Sequence, residues 1–239
     1  MGSCIALRWT QLYELAVSKL LEVYLQVGNN LKGEIRTPDV LKKYSDGLEI
    51  NRQLVERERS LPPDLSQQER AWRNLAEYHR EMGSKDEALE ASEQAIHAAE
   101  YNPNMKFTNE LMARMDLART YLLFFGLEKS LASLDETRIA FEQKKHQLTD
   151  RERNYMLMLI LNERTRVCRE LGRQPEIVDD LKAVVELGRH CLPGGESHVT
   201  FPSYQGSLAQ ALAMAGRERE AIDEMQKSLA TYMLSLIHI

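Results

Sequence analysis

Gly83-Ser84-Lys85-Asp86-Glu87-Ala88-Leu89, followed by Gln94-Ala95-Ile96, is echoed 133 residues later (216 − 83) by Gly216-Arg217-Glu218-Arg219-Glu220-Ala221-Ile222, followed by Lys227-Ser228-Leu229. Each stretch sets a glycine, a small residue five positions on, and another small residue seven positions further. A glycine ends one helix, and small residues at that spacing let a second helix pack close against it. Recurrence of the unit predicts a stack of helical hairpins, because one such hairpin cannot bury its own apolar face.

Signals outward from these stretches agree with an all-α chain. No segment alternates apolar and polar residues in the strand period, and no Asn-Gly or Asp-Gly turn occurs. Ser66–Glu69, Ser84–Glu87 and Thr149–Glu152 have the form of capping boxes. Thr37-Pro38 and Gln174-Pro175 place proline at the start of a helix, where its missing N–H costs nothing. Pro62-Pro63, Asn102-Pro103 and Pro193-Gly194-Gly195 mark breaks. Helices are expected near 5–27, 38–60, 66–82, 85–101, 108–124, 127–146, 150–171, 175–191, 202–215 and 218–235. In order they form five hairpins, at 5–60, 66–101, 108–146, 150–191 and 202–235, a single array over 1–235. Their turn glycines are Gly28, Gly83, Gly126, Gly172 and Gly216. Ala76 is expected to face Ala88, and Ala209 to face Ala221. Leu75, Leu89 and Ile96 would fill the ridge beside the first pair, and Leu208, Ile222 and Leu229 beside the second. Trp72 would seal the base of its hairpin.

These residues resemble the tetratricopeptide repeat family. Trp72…Leu75-Ala76…Gly83…Ala88-Leu89…Ala95-Ile96 follows its pattern of an aromatic, Leu and a small residue, then Gly, Ala and Ala. Leu208-Ala209…Gly216…Ala221-Ile222…Ser228-Leu229 follows it nearly as well. Gly172 is followed by Ile177 and Val184 where alanine is usual. Gly126 is followed by Leu131, with its first helix one residue out of register. The hairpin at Gly28 keeps Leu20, Leu21 and Tyr24 but not the second-helix pattern. The repeats exceed the usual 34 residues, as do those of tetratricopeptide regions in kinesin light chains and bacterial regulators. The resemblance implies a right-handed α-solenoid that binds protein or peptide in a concave groove lined by first helices. By register the groove would show Arg73, Asn74, Glu77 and Arg80, then Met115 and Arg119, then Asn162, Arg166 and Arg169, then Ser207 and Gln210. An acidic or C-terminal peptide suits such arginines, whose planar forks match carboxylates. Alternatively they pair with neighbours such as Glu77, Glu163 and Glu170.

Composition narrows the function classes. The 239 residues are 43% hydrophobic and 28% charged, enough for a buried core. A net charge of −5 disfavours nucleic acid, which asks for a concentrated basic surplus. No run approaches the ~20 apolar residues a membrane span needs. Cys4, Cys168 and Cys191 are few and scattered, which fits a reducing cytoplasm. Met1-Gly2-Ser3-Cys4-Ile5-Ala6 lacks the Ser or Thr that acylation prefers where Ala6 stands. His190, Cys191 and His198 do not have zinc-ligand spacing, and no phosphate loop or nucleophile motif is present. Neither catalysis nor a cofactor is expected. After Tyr232 the apolar run to Ile239 is unlike a polar capping helix, so 236–239 reads as a foreign or truncated tail. On that reading the alternative is the sensory arm of a larger signalling enzyme or transcription regulator, with its effector domain beyond this chain.

Overall fold

The computed structural model describes residues 68–237 and, before them, Glu49, Arg52, Gln53 and Glu56. The chain divides into two compact units, Met1–Glu49 and Ile50–Ile239. The expected hairpin at 5–60, with Gly28 and Thr37-Pro38, and the cap residue Ser66 lie outside the described residues.

From Gln68 onward the described residues form α1 (Gln68–Met82), α2 (Lys85–Tyr101), α3 (Phe107–Phe124), α4 (Leu127–Lys144), α5 (Asp150–Glu170), α6 (Gln174–Cys191), α7 (Phe201–Met214) and α8 (Glu218–Ile237). No strand occurs among them. Consecutive helices pair as hairpins α1–α2, α3–α4, α5–α6 and α7–α8, and each hairpin packs on the next. The architecture is an all-α solenoid. Short 3-10 turns at Lys145–Gln147 and Gly195–Ser197 bridge the later hairpins.

The hairpin turns share one hydrogen bond. The amides of Ser84, Arg173 and Arg217 each donate to the carbonyl five residues back, on His79, Cys168 and Leu212, at 2.9 Å. This closes the first helix through a left-handed residue, which Gly83, Gly172 and Gly216 supply at φ of 71–75°. In the second hairpin Gly126 itself donates to Tyr121, at 2.9 Å. Gly126 therefore stands where Ser84 stands, one residue later than the other turn glycines. The register offset read from sequence has this cause, and it corrects the small-residue assignment. Counting from the donor, Ser130 and Thr137 take the places of Ala88 and Ala95, not Leu131. Both are buried, and the Ser130 hydroxyl donates to the Ala118 carbonyl at 2.8 Å. Ser228 donates likewise to Pro202, at 2.7 Å. A hydroxyl can reach a facing backbone only where two helices approach closely.

Of the expected caps, Thr149 forms its box with Glu152. Ser84 makes no side-chain cap bond, and its amide donates to the turn.

The core is continuous from Phe107 to Ala221. Phe141, Phe201, Met158, Ile160 and Leu181 are among its largest enclosed side chains. Ala76, Ala88 and Ala95 are fully enclosed, and Trp72 and Leu75 are buried beside them. Hairpins pack closely at Gly188 of α6, where an added Cβ would lie 3.3 Å from the Phe201 ring of α7. The ridge assignment needs one correction. Leu89 and Ile96 are half-buried, but Ile222 and Leu229 are 57% and 55% exposed. The first pair lies under neighbouring helices, and no described element covers the second.

On the side of α5 facing the second helices, Arg164 reaches Asp135 of α4 and both Glu176 and Asp180 of α6. Burial pulls its pKa down, but the hydrogen bonds it donates to the three carboxylates hold it above its ordinary value. One guanidinium thus fixes α5 against both adjacent second helices.

Two measurements test this packing. Ala88→Leu is expected to lower stability by about 1–3 kcal/mol in urea unfolding, through overpacking of the α1–α2 contact. His79 is 5% exposed and its Nδ1 has no hydrogen-bond partner. Burial, with Arg52 nearby, lowers its pKa below the ordinary value. Protonation therefore favours the unfolded chain, so stability present above about pH 6.5 is lost as pH falls below it through the lower folded-state value. His79→Gln is expected to flatten the wild-type slope of unfolding free energy between about pH 7 and 5.

Candidate functional site

First helices contact one another across hairpins: α1 touches α3, and α3 touches α5. Their shared face carries a ladder of alternating charge. Arg73 on α1 donates to Glu69 one turn back, at 3.2 Å, and across to Asp116 on α3, at 2.6 Å. Arg119, three residues beyond Asp116, donates to it at 2.9 Å and reaches Glu163 on α5 at 2.5 Å. Glu163 accepts in turn from Arg166 at 3.0 Å. Arg80 lies beside the ladder, donating to the Asp116 carbonyl at 3.3 Å and to the Thr120 hydroxyl at 3.2 Å. Thr120 also shares a 2.9 Å bond with Ser92 of α2.

Burial decides what this ladder does. Glu69 and Asp116 are almost wholly enclosed. A buried carboxylate without a partner is costly, so these two commit the arginines that reach them. Burial raises the Glu69 carboxyl above its ordinary pKa, with Arg73 opposing it. For Arg73 and Arg119 burial acts downward, and the facing carboxylates more than offset it. Arg80 has less compensation, and burial leaves its guanidinium below the ordinary value.

The structure separates the residues singled out in sequence. Arg73, Arg80 and Arg119 come together in the ladder, through Asp116 and not through Glu77. Asn74 and Glu77 are exposed on α1. Met115 does not line the face: it is 1% exposed and belongs to the core. The register of α3 turns Asp116 and Arg119 toward the ladder and Met115 inward. On α5, Asn162 and Arg169 are half-buried and Arg166 is 53% exposed. Arg169 makes no salt bridge with any described residue. Gln210 is exposed and Ser207 half-buried on α7.

Sequence reasoning missed three members. Asp116 is the hub of the ladder. Tyr155 and Leu159 continue the stripe of Asn162, Arg166 and Arg169 along α5, at steps of four, three, four and three residues. Tyr155 is 42% exposed and Leu159 half-buried. That spacing is one helix face and was readable without coordinates. The next first helix, α7, contains no charged residue, and its exposed Ser203, Gln210 and Met214 share a face. The ladder end at α1 and α3 is thus internally neutralised. The end at α5 and α7 offers an aromatic, an amide and two guanidiniums, with Glu163 already shared.

The groups with metal-ligand or nucleophile chemistry go to separate partners. His190 sits 3.1 Å from Glu186, Cys191 is buried with its thiol 3.7 Å from the Met158 sulfur, and His198 bonds Thr200.

No family model and no curated protein matches the chain. Solved structures do. A Podosopora anserina protein assigned as a kinesin light chain, with nearly identical TPR-like repeats, superposes with a TM-score of 0.57 at 20% identity, over 87% of this chain and 94% of that one. BtubC (BKLC) from P. vanneervenii superposes with a TM-score of 0.66 at 14% identity, over 82% of this chain and 77% of that one. The chain has the fold of a TPR-like helical repeat protein.

The ladder gives a stability prediction. Asp116→Ala removes the buried carboxylate that Arg73 and Arg119 share and is expected to cost about 1–3 kcal/mol in chemical unfolding. Arg166→Ala, at the exposed end, is expected to cost under about 1 kcal/mol.

Proposed function

We propose that this chain is a non-catalytic scaffold that binds a protein or peptide along the face shared by its first helices, in the cytoplasm. The observation that carries the reading is the contrast along that face. Arg73, Arg80 and Arg119 are spent on buried partners, and Arg166 and Arg169 are not. Together with Tyr155, Leu159 and Asn162 on α5, and Gln210 on α7, they form a surface whose charge suits a carboxylate-bearing segment. Asparagine can clamp an extended backbone and the tyrosine can cover an apolar side chain. Arg73, Asn74, Glu77, Arg80 and Arg119 would extend the groove as its frame, with Asn74 and Glu77 at its exposed margin.

The fold supports this reading, since helical repeats present extended surfaces and rarely supply reacting groups. No helix among the described residues is long and apolar enough to cross a membrane. Cys168 and Cys191 are free thiols, as a reducing compartment allows.

A peptide array probed with the full chain tests the proposal. Binding is expected to concentrate on Asp/Glu-rich segments. Arg166→Glu combined with Arg169→Glu is expected to weaken it at least about tenfold, with helicity and melting temperature unchanged. Comparing free with amidated C termini separates a terminal carboxylate from acidic side chains. Equal binding by wild type and the double variant would retire the groove.

A further inference from the structure

Trp72, Leu75 and His79 follow one another on α1 at steps of three and four residues, so they share a face. With Ala91 of α2 they floor a pocket of about 290 Å³, and all four are buried. The rim is charged and exposed. Glu87 and Glu90 come from α2, and Arg52 and Glu56 are a helical turn apart before α1. The volume lies at the small end for a ligand pocket.

Two features distinguish this pocket from a gap in packing. His79 is the one titratable group of the floor, and its Nδ1 has no hydrogen-bond partner. Buried polar atoms are normally satisfied, and an unpaired one costs stability. Burial, with Arg52 acting in the same direction, holds the ring below its ordinary pKa, so the imidazole is neutral at neutral pH. The rim is equally uncommitted. The carboxylates of Glu56, Glu87 and Glu90 make no salt bridge or hydrogen bond with a described residue. Set against one guanidinium, they leave a surplus of two negative charges at the mouth.

We propose that this pocket binds a primary ammonium group carried on a short alkyl stem. The negative rim attracts a cation and repels an anion. Leu75 and Ala91 give the stem an apolar floor, and an indole face attracts a cation. An ammonium N–H is a donor, which a neutral imidazole and three carboxylates can accept. A metal ion is a poorer match, since no three His, Cys, Asp or Glu side chains converge as ligands among the described residues. A free alkylamine and a lysine side chain offer the same chemistry, and the test separates them.

The full chain with isotope-labelled histidines is titrated with n-butylamine at constant pH and followed by NMR, with His79→Gln identifying the His79 signal. Butylammonium is expected to shift that signal saturably. Butanol and butyrate, of the same length, are expected to act at least about tenfold more weakly. Glu87→Gln with Glu90→Gln is expected to weaken amine binding about three- to tenfold at an unchanged melting temperature, because both side chains are exposed. Should that pair perturb folding, Glu56→Gln is expected to weaken it about twofold. N-acetyl-lysinamide binding more tightly than butylamine identifies a lysine side chain as the source, and the reverse order a free amine. The absence of a saturable shift with either amine would overturn the proposal. So would an equal response to butanol, which makes the pocket an apolar gap, or full affinity in every rim variant. Arg166→Glu with Arg169→Glu is expected to leave amine binding unchanged, so the outcome here is independent of the peptide groove.

Discussion

An apolar strip that a helical hairpin cannot bury by itself is the constraint behind this structure. Two antiparallel helices cover one side of each other and leave the flank of the second helix open to water. The next hairpin removes that surface from solvent, and the strip on α6 shows the result: valine, leucine and glycine sealed beneath α7. Small residues at the hairpin contact make the rest possible. Where Ser130 and Ser228 stand, the helices come close enough for hydroxyls to reach the facing backbone. Stacking then repeats along the array, and among the described residues Ile222 and Leu229 of α8 stay exposed.

Because second helices take up the covering role, the first helices keep one side free, and charge organises that side. Exposed ion pairs contribute little one at a time. The ladder differs because its central carboxylates are enclosed, so each fixes the arginine from an adjacent helix. It sets the register of α1 against α3 and of α3 against α5. Arg164 does the same for α4, α5 and α6 from the other side. Arginine suits both places, since a rigid fork can hold two or three oxygens at once.

This division of labour shapes the functional reading. Residues that look alike in sequence, the five groove arginines on first helices, differ by whether a buried partner lies within reach. Those that have one hold the fold, and those without one are the residues we propose for a partner. The proposed recognition surface therefore centres on α5, with α7 a helix that carries no charged residue.

Helix positions were legible in the sequence because their causes are local. A glycine able to take positive φ, a Thr-x-x-Glu cap and the helical period of apolar residues act within a few positions of one another. So the limits of α2 and the turns at Gly83, Gly172 and Gly216 could be read directly, as could Ala76, Ala88 and Ala95 at the hairpin contact. Tyr155 and Leu159 were legible as well, on the same helical face as Asn162. The ladder was not. Asp116 meets Arg73 across 43 positions and Glu163 meets Arg119 across 44, and no local pattern encodes which carboxylate a long side chain will find. The inward turn of Met115 and the place of Ser130 depended on a one-residue shift at Gly126, visible only in the turn's hydrogen bond. The exposure of Ile222 and Leu229 was equally hidden, since their sequence matches that of a covered repeat. Local chemistry determined the helices, and only their stacking decided which surfaces are spent and which are left open.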